Sequence, residues 1–108
     1  MSAKQSNILV IFTTAPQAEA AEIAKALIER RLIACASLIP AVNSLYFWEG
    51  QLNQAQECQM ILKTCTSNLK KLEAALAELH PYECPEFIAL EPKYCSSTYL
   101  NWVNDYCS

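Results

Sequence analysis

The run His80-Pro81-Tyr82-Glu83-Cys84-Pro85-Glu86 gathers the only histidine of the chain with a tyrosine, two carboxylates, a thiol and two prolines. Imidazole, thiolate and carboxylate are the groups with which proteins bind metal ions and move protons. Pro81 and Pro85 each bias the residue before them toward extended backbone, so a helix should stop near His80 and an extended segment follow. The polar side chains then sit on stiff backbone. A plainer reading also fits, in which His80 only ends a helix and Tyr82 only packs. Glu83 and Glu86 straddle Pro85 as an acid/base pair would, yet the sequence supplies neither a nucleophile with an orienting partner nor a glycine-rich phosphate loop. The segment therefore reads as part of a binding protein, not an enzyme.

With Cys84 of that run, six thiols could carry chemistry: Cys35, Cys58, Cys65, Cys84, Cys95 and Cys107. No pair has CxxC spacing, and neither the polar residues 1–7 nor the short apolar run 8–12 makes a signal peptide or a membrane span. The expectation is a soluble cytoplasmic protein with reduced thiols, among which Cys58, Cys95 and Cys107 behave as small buried hydrophobes. A net charge of −3 with scattered basic residues lacks the footprint that phosphates require, which argues against nucleic acid as a partner.

These groups must be positioned by the rest of the chain. Residues 8–12, Ile-Leu-Val-Ile-Phe, form a strand buried on both faces. Thr13-Thr14-Ala15-Pro16 then opens a helix, with Thr14 or Ala15 at the cap and Pro16 in the first turn. Its apolar face is Ile23, Ala24, Leu27 and Ile28, and its solvated side is Lys25, Glu29, Arg30 and Arg31. From 32 to 48 the sequence turns β-like, Glu49-Gly50-Gln51 reverses it, and a second strand returns through 52–66. Gly50, the only glycine, suits the left-handed position of a tight hairpin loop.

With the loop centred on Gly50 and no bulge, partner numbers sum to about 100, which sets Glu57 against Asn43, Lys63 against Ser37 and Cys35 against Cys65. Pro40 can bulge its strand and shift that pairing. Alternation puts Glu57, Gln59, Ile61, Lys63 and Cys65 on one face and Cys58, Met60, Leu62 and Thr64 on the other. Ser67 caps a second helix with Leu69, Leu72, Leu76 and Leu79 on one stripe and Lys70 and Lys71 outside. Residues 86–91 read as a strand that stops short of the interruption at Pro92, and 94–98 as a loop. Ser97 or Thr98 caps a final helix bearing Tyr99, Leu100, Trp102, Val103 and Tyr106.

The resulting class is α+β, a ferredoxin-like βαββαβ sandwich with a long hairpin between its second and third strands and a C-terminal helix. It makes a single domain over 1–108, with 1–7 as a flexible N-terminus. Both helices of such a fold cover one sheet face, yet the hairpin strands carry apolar residues on both parities. With 53% hydrophobic residues the composition is rich for so short a chain, so further copies are expected to cover the second face.

Four motifs then appear in order: Arg31-Leu32-Ile33-Ala34-Cys35-Ala36-Ser37-Leu38-Ile39-Pro40, Ser44-Leu45-Tyr46-Phe47-Trp48-Glu49-Gly50, Ile61-Leu62-Lys63-Thr64 and the 80–86 run. Together, from Val10 through Trp102, they closely resemble the CutA divalent-cation-tolerance family. The resemblance implies a homotrimer similar in architecture to the PII signalling proteins, with sheets turned inward and hairpins interlocked, and a link to tolerance of divalent metals. It makes copper, or another divalent metal, the candidate ion and no other cofactor. Carried over residue by residue, it marks Cys35, Glu57 and His80 as metal candidates. Against the family pattern, Cys65 stands where many relatives have arginine and Cys84 where an aliphatic residue is usual. Phe12 and Ala75 occupy the neighbourhoods of other cysteines proposed as ligands.

Two alternatives accompany that reading. One is a PII-like sensor that takes a small anionic ligand or a partner protein in an intersubunit cleft walled by Trp48, Lys63, Tyr82, Glu83, Glu86 and Trp102. The other is a structural or anchoring trimer whose aromatics, Tyr46 among them, pack between subunits. In either, Glu83 and Glu86 can pair with Lys63 or Arg31 across the trimer. Neither involves a membrane.

Overall fold

Residues 7–107 are described by the computed structural model, and the expected flexible N-terminus over 1–7 falls, apart from Asn7, outside them. Strand β1 (Ile8–Pro16) is followed by helix α1 (Ala20–Glu29), the hairpin strands β2 (Cys35–Trp48) and β3 (Gln51–Cys65), helix α2 (Leu69–Leu79), the short strand β4 (Ile88–Leu90) and helix α3 (Ser97–Tyr106). The strands form one antiparallel sheet in the order β2-β3-β1-β4, the ferredoxin-like arrangement with the sequence-adjacent hairpin at one edge. Ile11, Met60 and Leu62 from the sheet meet Leu27 of α1 and Leu72 and Leu76 of α2 in the main core, all fully buried. Of the expected α1 face, Ile23, Ala24 and Leu27 are buried and Ile28 lies at its exposed edge.

The first strand runs farther than its sequence suggests. Thr13-Thr14-Ala15-Pro16 stays extended, paired with Met60, Gln59, Cys58 and Glu57 of β3, and α1 begins only at Ala20 with Glu19 before it. The expected cap at Thr14 or Ala15 therefore fails. Buried Thr13 and Ala15 continue the core-facing alternation of Leu9 and Ile11, and that packing outweighs the local preference of Pro16 for a helix start. At the other end of α1, Arg31 takes the left-handed C′ position at φ 60°. Its N–H donates to the Ile28 carbonyl and that of Leu32 to the Leu27 carbonyl, a Schellman closure.

The hairpin turns through Glu49 (φ 52°) and Gly50 (φ 78°), both left-handed, as a two-residue primed turn requires. Its register corrects the bulge-free pairing. Trp48 faces Gln51 and Val42 faces Glu57, but a bulge at Pro40 and Ala41 then shifts the strands, so Cys35 lies opposite Lys63. Cys65 instead faces Ile8 of β1. Glu57 is thus opposite Val42, not Asn43, and Lys63 opposite Cys35, not Ser37. Proline cannot donate to the ladder, and the left-handed Ala41 (φ 60°) gives its N–H to the Gln17 Oε1 at 2.8 Å. The arm makes the subunit 49 Å long against 26 and 23 Å.

Three boundaries also differ. A 3-10 turn over Thr66–Asn68 puts Asn68, not Ser67, before α2. The Asn68 amide is used elsewhere, donating to the Arg31 carbonyl. β4 is three residues long instead of the six read for 86–91, because only Ile88, Ala89 and Leu90 pair with β1. Ser96, one residue before the expected cap, accepts the Tyr99 N–H and starts α3. That helix lays Leu100 and Val103 on Ile8, Ala34, Cys65 and Cys107, covering one end of the sheet face that α1 and α2 leave bare.

Candidate functional site

α2 ends where Pro81 demands it. His80 is extended (φ −83°, ψ 137°) and its N–H still closes on the Leu76 carbonyl. β4 pairs with β1 only as far as Phe12, and beyond that point β1 takes hydrogen bonds from side chains. Gln59 Nε2 donates to the Thr13 carbonyl at 2.9 Å, and His80 Nε2 donates to the Thr14 carbonyl at 2.7 Å. His80 Nδ1 accepts the Tyr82 N–H at 3.1 Å. A carbonyl acceptor at one ring nitrogen and an N–H donor at the other leave a single tautomer, with the proton on Nε2. Both nitrogens of this buried ring are committed.

The same turn carries Tyr82 over His80, ring centroids 4.7 Å apart, and its hydroxyl donates to Glu57 Oε2 at 2.5 Å. Glu57 is only 4% exposed. Burial first, then the hydrogen bond and charge of Glu57, push the Tyr82 phenol far above the usual tyrosine range, with Tyr46 and Glu19 near enough to add to the effect. Above this network opens a cleft of about 750 Å³, walled by Ser44, Leu45, Tyr46 and Trp48 of the arm, Glu57 and Gln59 of β3, Thr14, and the 81–86 segment. Trp48, Tyr82, Glu83 and Glu86 of the expected cleft residues line it. Among the described residues its titratable side chains are carboxylates, tyrosines and Cys84, with no lysine, arginine or histidine, which is an unfavourable lining for an anion.

Lys63 and Trp102 lie elsewhere. Lys63 Nζ sits 5.9 Å from the centre of the Tyr99 ring, and Tyr99 stacks on Trp102, itself against Tyr106. The Tyr99 hydroxyl meets Cys35 Sγ at 3.5 Å, and burial followed by the Cys35 contact lifts its phenol to about 12. Cys35 therefore belongs with Lys63. Along β3 the six residue steps from Glu57 to Lys63 span roughly 20 Å, so within one chain Cys35 is far from the Glu57–His80 network. With His80 satisfied on both nitrogens and Glu57 holding Tyr82, the three expected ligands do not fit a metal ion inside one subunit. Among the described residues no three His, Cys, Asp or Glu side chains gather to hold one.

Sequence reasoning overlooked Thr14, taken for a helix cap, and Gln59, whose role follows only from the β1–β3 register. It also treated Cys107 as a mere hydrophobe, whereas its sulfur accepts the Cys65 N–H and the Asn68 amide. The pair of β-branched threonines after the apolar run was the available signal for a longer β1.

Residues 8–106 match the CutA1 divalent ion tolerance family. The divalent-cation tolerance protein CutA of Escherichia coli K12 is 40% identical over 103 residues, 95% of this chain and 92% of that one. CutA from Xylella fastidiosa superposes with a TM-score of 0.92 at 34% identity, covering 95% of this chain and all of that one. CutA1 from Shewanella sp. SIB1 gives 0.87 at 40% identity, covering 93% and 94% of the two chains. Sequence identity and fold agree along almost the whole length, and the chain accordingly belongs to the CutA1 divalent ion tolerance family.

Proposed function

We propose that the protein works as a cytoplasmic homotrimer in the tolerance of divalent metal ions. The observation that carries this reading is the apolar surface left on the sheet. Val10, Phe12, Ile39, Ile61, Ile88 and Leu90 share the face opposite α1 and α2 by their pairing, and Ile39, Ile88 and Leu90 are each close to half exposed. On the arm, the facing pair Phe47 and Leu52 is 73% and 66% exposed. Apolar surface on this scale marks an interface, and an arm that extends past its own core is suited to wrap a neighbour. Light scattering should give three chain masses, and the double substitution Phe47→Glu and Leu52→Glu should give one. A single chain mass for the wild type at micromolar concentration would sink the trimer.

Copper, or another divalent metal, is the ion of this reading, and Cys35, Glu57 and His80 are its proposed ligands only if different copies contribute them. Calorimetry with buffered copper(I) and zinc on wild type, Cys35→Ser and His80→Ala tests the point. Tight binding lost in both variants supports a shared centre, and indifference to His80 makes the metal link indirect. A second reading, a small-ligand sensor without enzymatic activity, is favoured by the cleft above Glu57.

A further inference from the structure

Glu57 is a carboxylate withdrawn from water without a countercharge. It is 4% exposed, and the one hydrogen bond its carboxylate receives among the described residues comes from Tyr82, at Oε2. Oε1 has no hydrogen-bond partner among the described residues and, not being fully buried, is open to the cleft, and the ion pairs Lys25–Glu22 and Arg30–Glu78 lie elsewhere. Removing an ionised carboxylate from water is costly unless a cation or several donors replace the hydration. Glu57 also lines the open cleft, so an incoming group can reach it.

The rest of the wall has a matching character. Glu83 and Glu86 add two carboxylates, Tyr46, Trp48 and Tyr82 add aromatic rings, and among the described residues no basic side chain lines the cavity. Aromatic faces beside carboxylates attract organic cations, because the ring quadrupole and the negative charge act together. A bare metal ion is the poorer fit, since among the described residues no three His, Cys, Asp or Glu side chains gather to coordinate one. The volume of about 750 Å³ is that of a small-molecule site.

We propose that this cleft binds an organic diammonium ion. One ammonium donates to the unpartnered Oε1 of Glu57, the alkyl chain lies along Tyr46 and Trp48, and the second ammonium is held by Glu83 and Glu86. The inference rests on the reading of the cleft as a ligand site and specifies the class of ligand.

The test is calorimetry on metal-stripped protein at constant ionic strength with 1,4-diaminobutane, n-butylamine and succinate, the last a dianion of the same chain length. Saturable binding of the diamine is expected, weaker binding of butylamine, and none of succinate. Glu57→Gln preserves an acceptor for Tyr82 and should raise the diamine Kd about tenfold or more. The exposed change Trp48→Leu should raise it about threefold. The pair Glu83→Gln and Glu86→Gln should abolish the preference for diamine over monoamine, which decides the matter even if Glu57→Gln fails to fold. Diamine binding that is unchanged in the folded Glu57→Gln and Trp48→Leu proteins overturns the proposal. Saturation by succinate overturns the ligand class while leaving a ligand site, and silence from all three probes overturns both.

Discussion

The two ends of the part of β3 that pairs with β1 each bury a polar group and treat it differently. At the Cys65 end the Cys107 sulfur accepts the Cys65 N–H at 3.1 Å and the Asn68 amide at 3.2 Å, and meets the Thr64 hydroxyl at 3.1 Å. Cys65 Sγ donates to the Cys107 carbonyl at 2.8 Å, and Thr64 Oγ1 to the Leu32 carbonyl at 2.7 Å. Burial pushes the Cys107 thiol up, so it stays a thiol. Each of these polar groups answers another, although a smaller cavity of about 350 Å³ opens beside Cys65 and Cys107. At the Glu57 end the carboxylate has one donor and faces open volume. Two buried cysteines that invite a chemical reading are structural, while a single glutamate beside a tyrosine is left with capacity to bind. Incomplete satisfaction beside a cavity, more than reactive residue type, separates a site from a scaffold.

That contrast can be broken by removing its parts. The largest effect is expected from His80→Ala, which strips the Thr14 carbonyl and the Tyr82 N–H of their partner and opens a cavity, at a cost of about 3 kcal/mol. Urea unfolding measures it, and a loss below about 1 kcal/mol would mean that His80 is not the structural knot described. Cys107→Ala should cost about 2 kcal/mol by orphaning the Cys65 N–H, with Cys107→Ser costing less because a hydroxyl still accepts. Equal losses for the two would show that volume, not acceptance, matters at that end.

Tyr82→Phe should cost about 1 kcal/mol or less, since it frees Glu57 to take water from the cleft. A cost as large as that of Cys107→Ala would erase the difference between the ends. Ala41→Gly should stabilise by about 0.5–1 kcal/mol, because the bulge holds alanine at φ 60°. An unchanged midpoint would place the bulge under no strain. The smallest effect is in alkali. The phenols of Tyr82 and Tyr99 are raised above the unfolded value of 10.0, so the stability they contribute is complete below that pH and is lost as pH rises through their folded values, about 12 for Tyr99. Phenolate absorbance should show two of the five tyrosines ionising late, and five ordinary titrations would refute the buried hydrogen bonds.

Much of this arrangement was legible residue by residue. The turn at Gly50, the helix stop before Pro81, the leucine stripe of α2 and the α+β order all follow from preferences within a few residues. The position of the site was half legible. Residues 80–86 drew notice through composition, and four of the expected cleft residues line one cleft. Lys63 and Trp102 were grouped with them because sequence alternation places Lys63 on the face of Glu57 but says nothing of the distance that the five residues between them put along β3.

Sequence alone determined the elements, their order and the family, because turns, caps and apolar periodicity are local and because the motifs recur in one order. Only the tertiary structure decided that Thr14 belongs to β1, that the bulge at Pro40 and Ala41 brings Cys35 to Lys63, and that His80 spends both nitrogens on the backbone. These outcomes rest on strand pairing between residues tens of positions apart. There a shift of one or two residues costs little locally yet changes which side chains meet and which carboxylate is left without a partner.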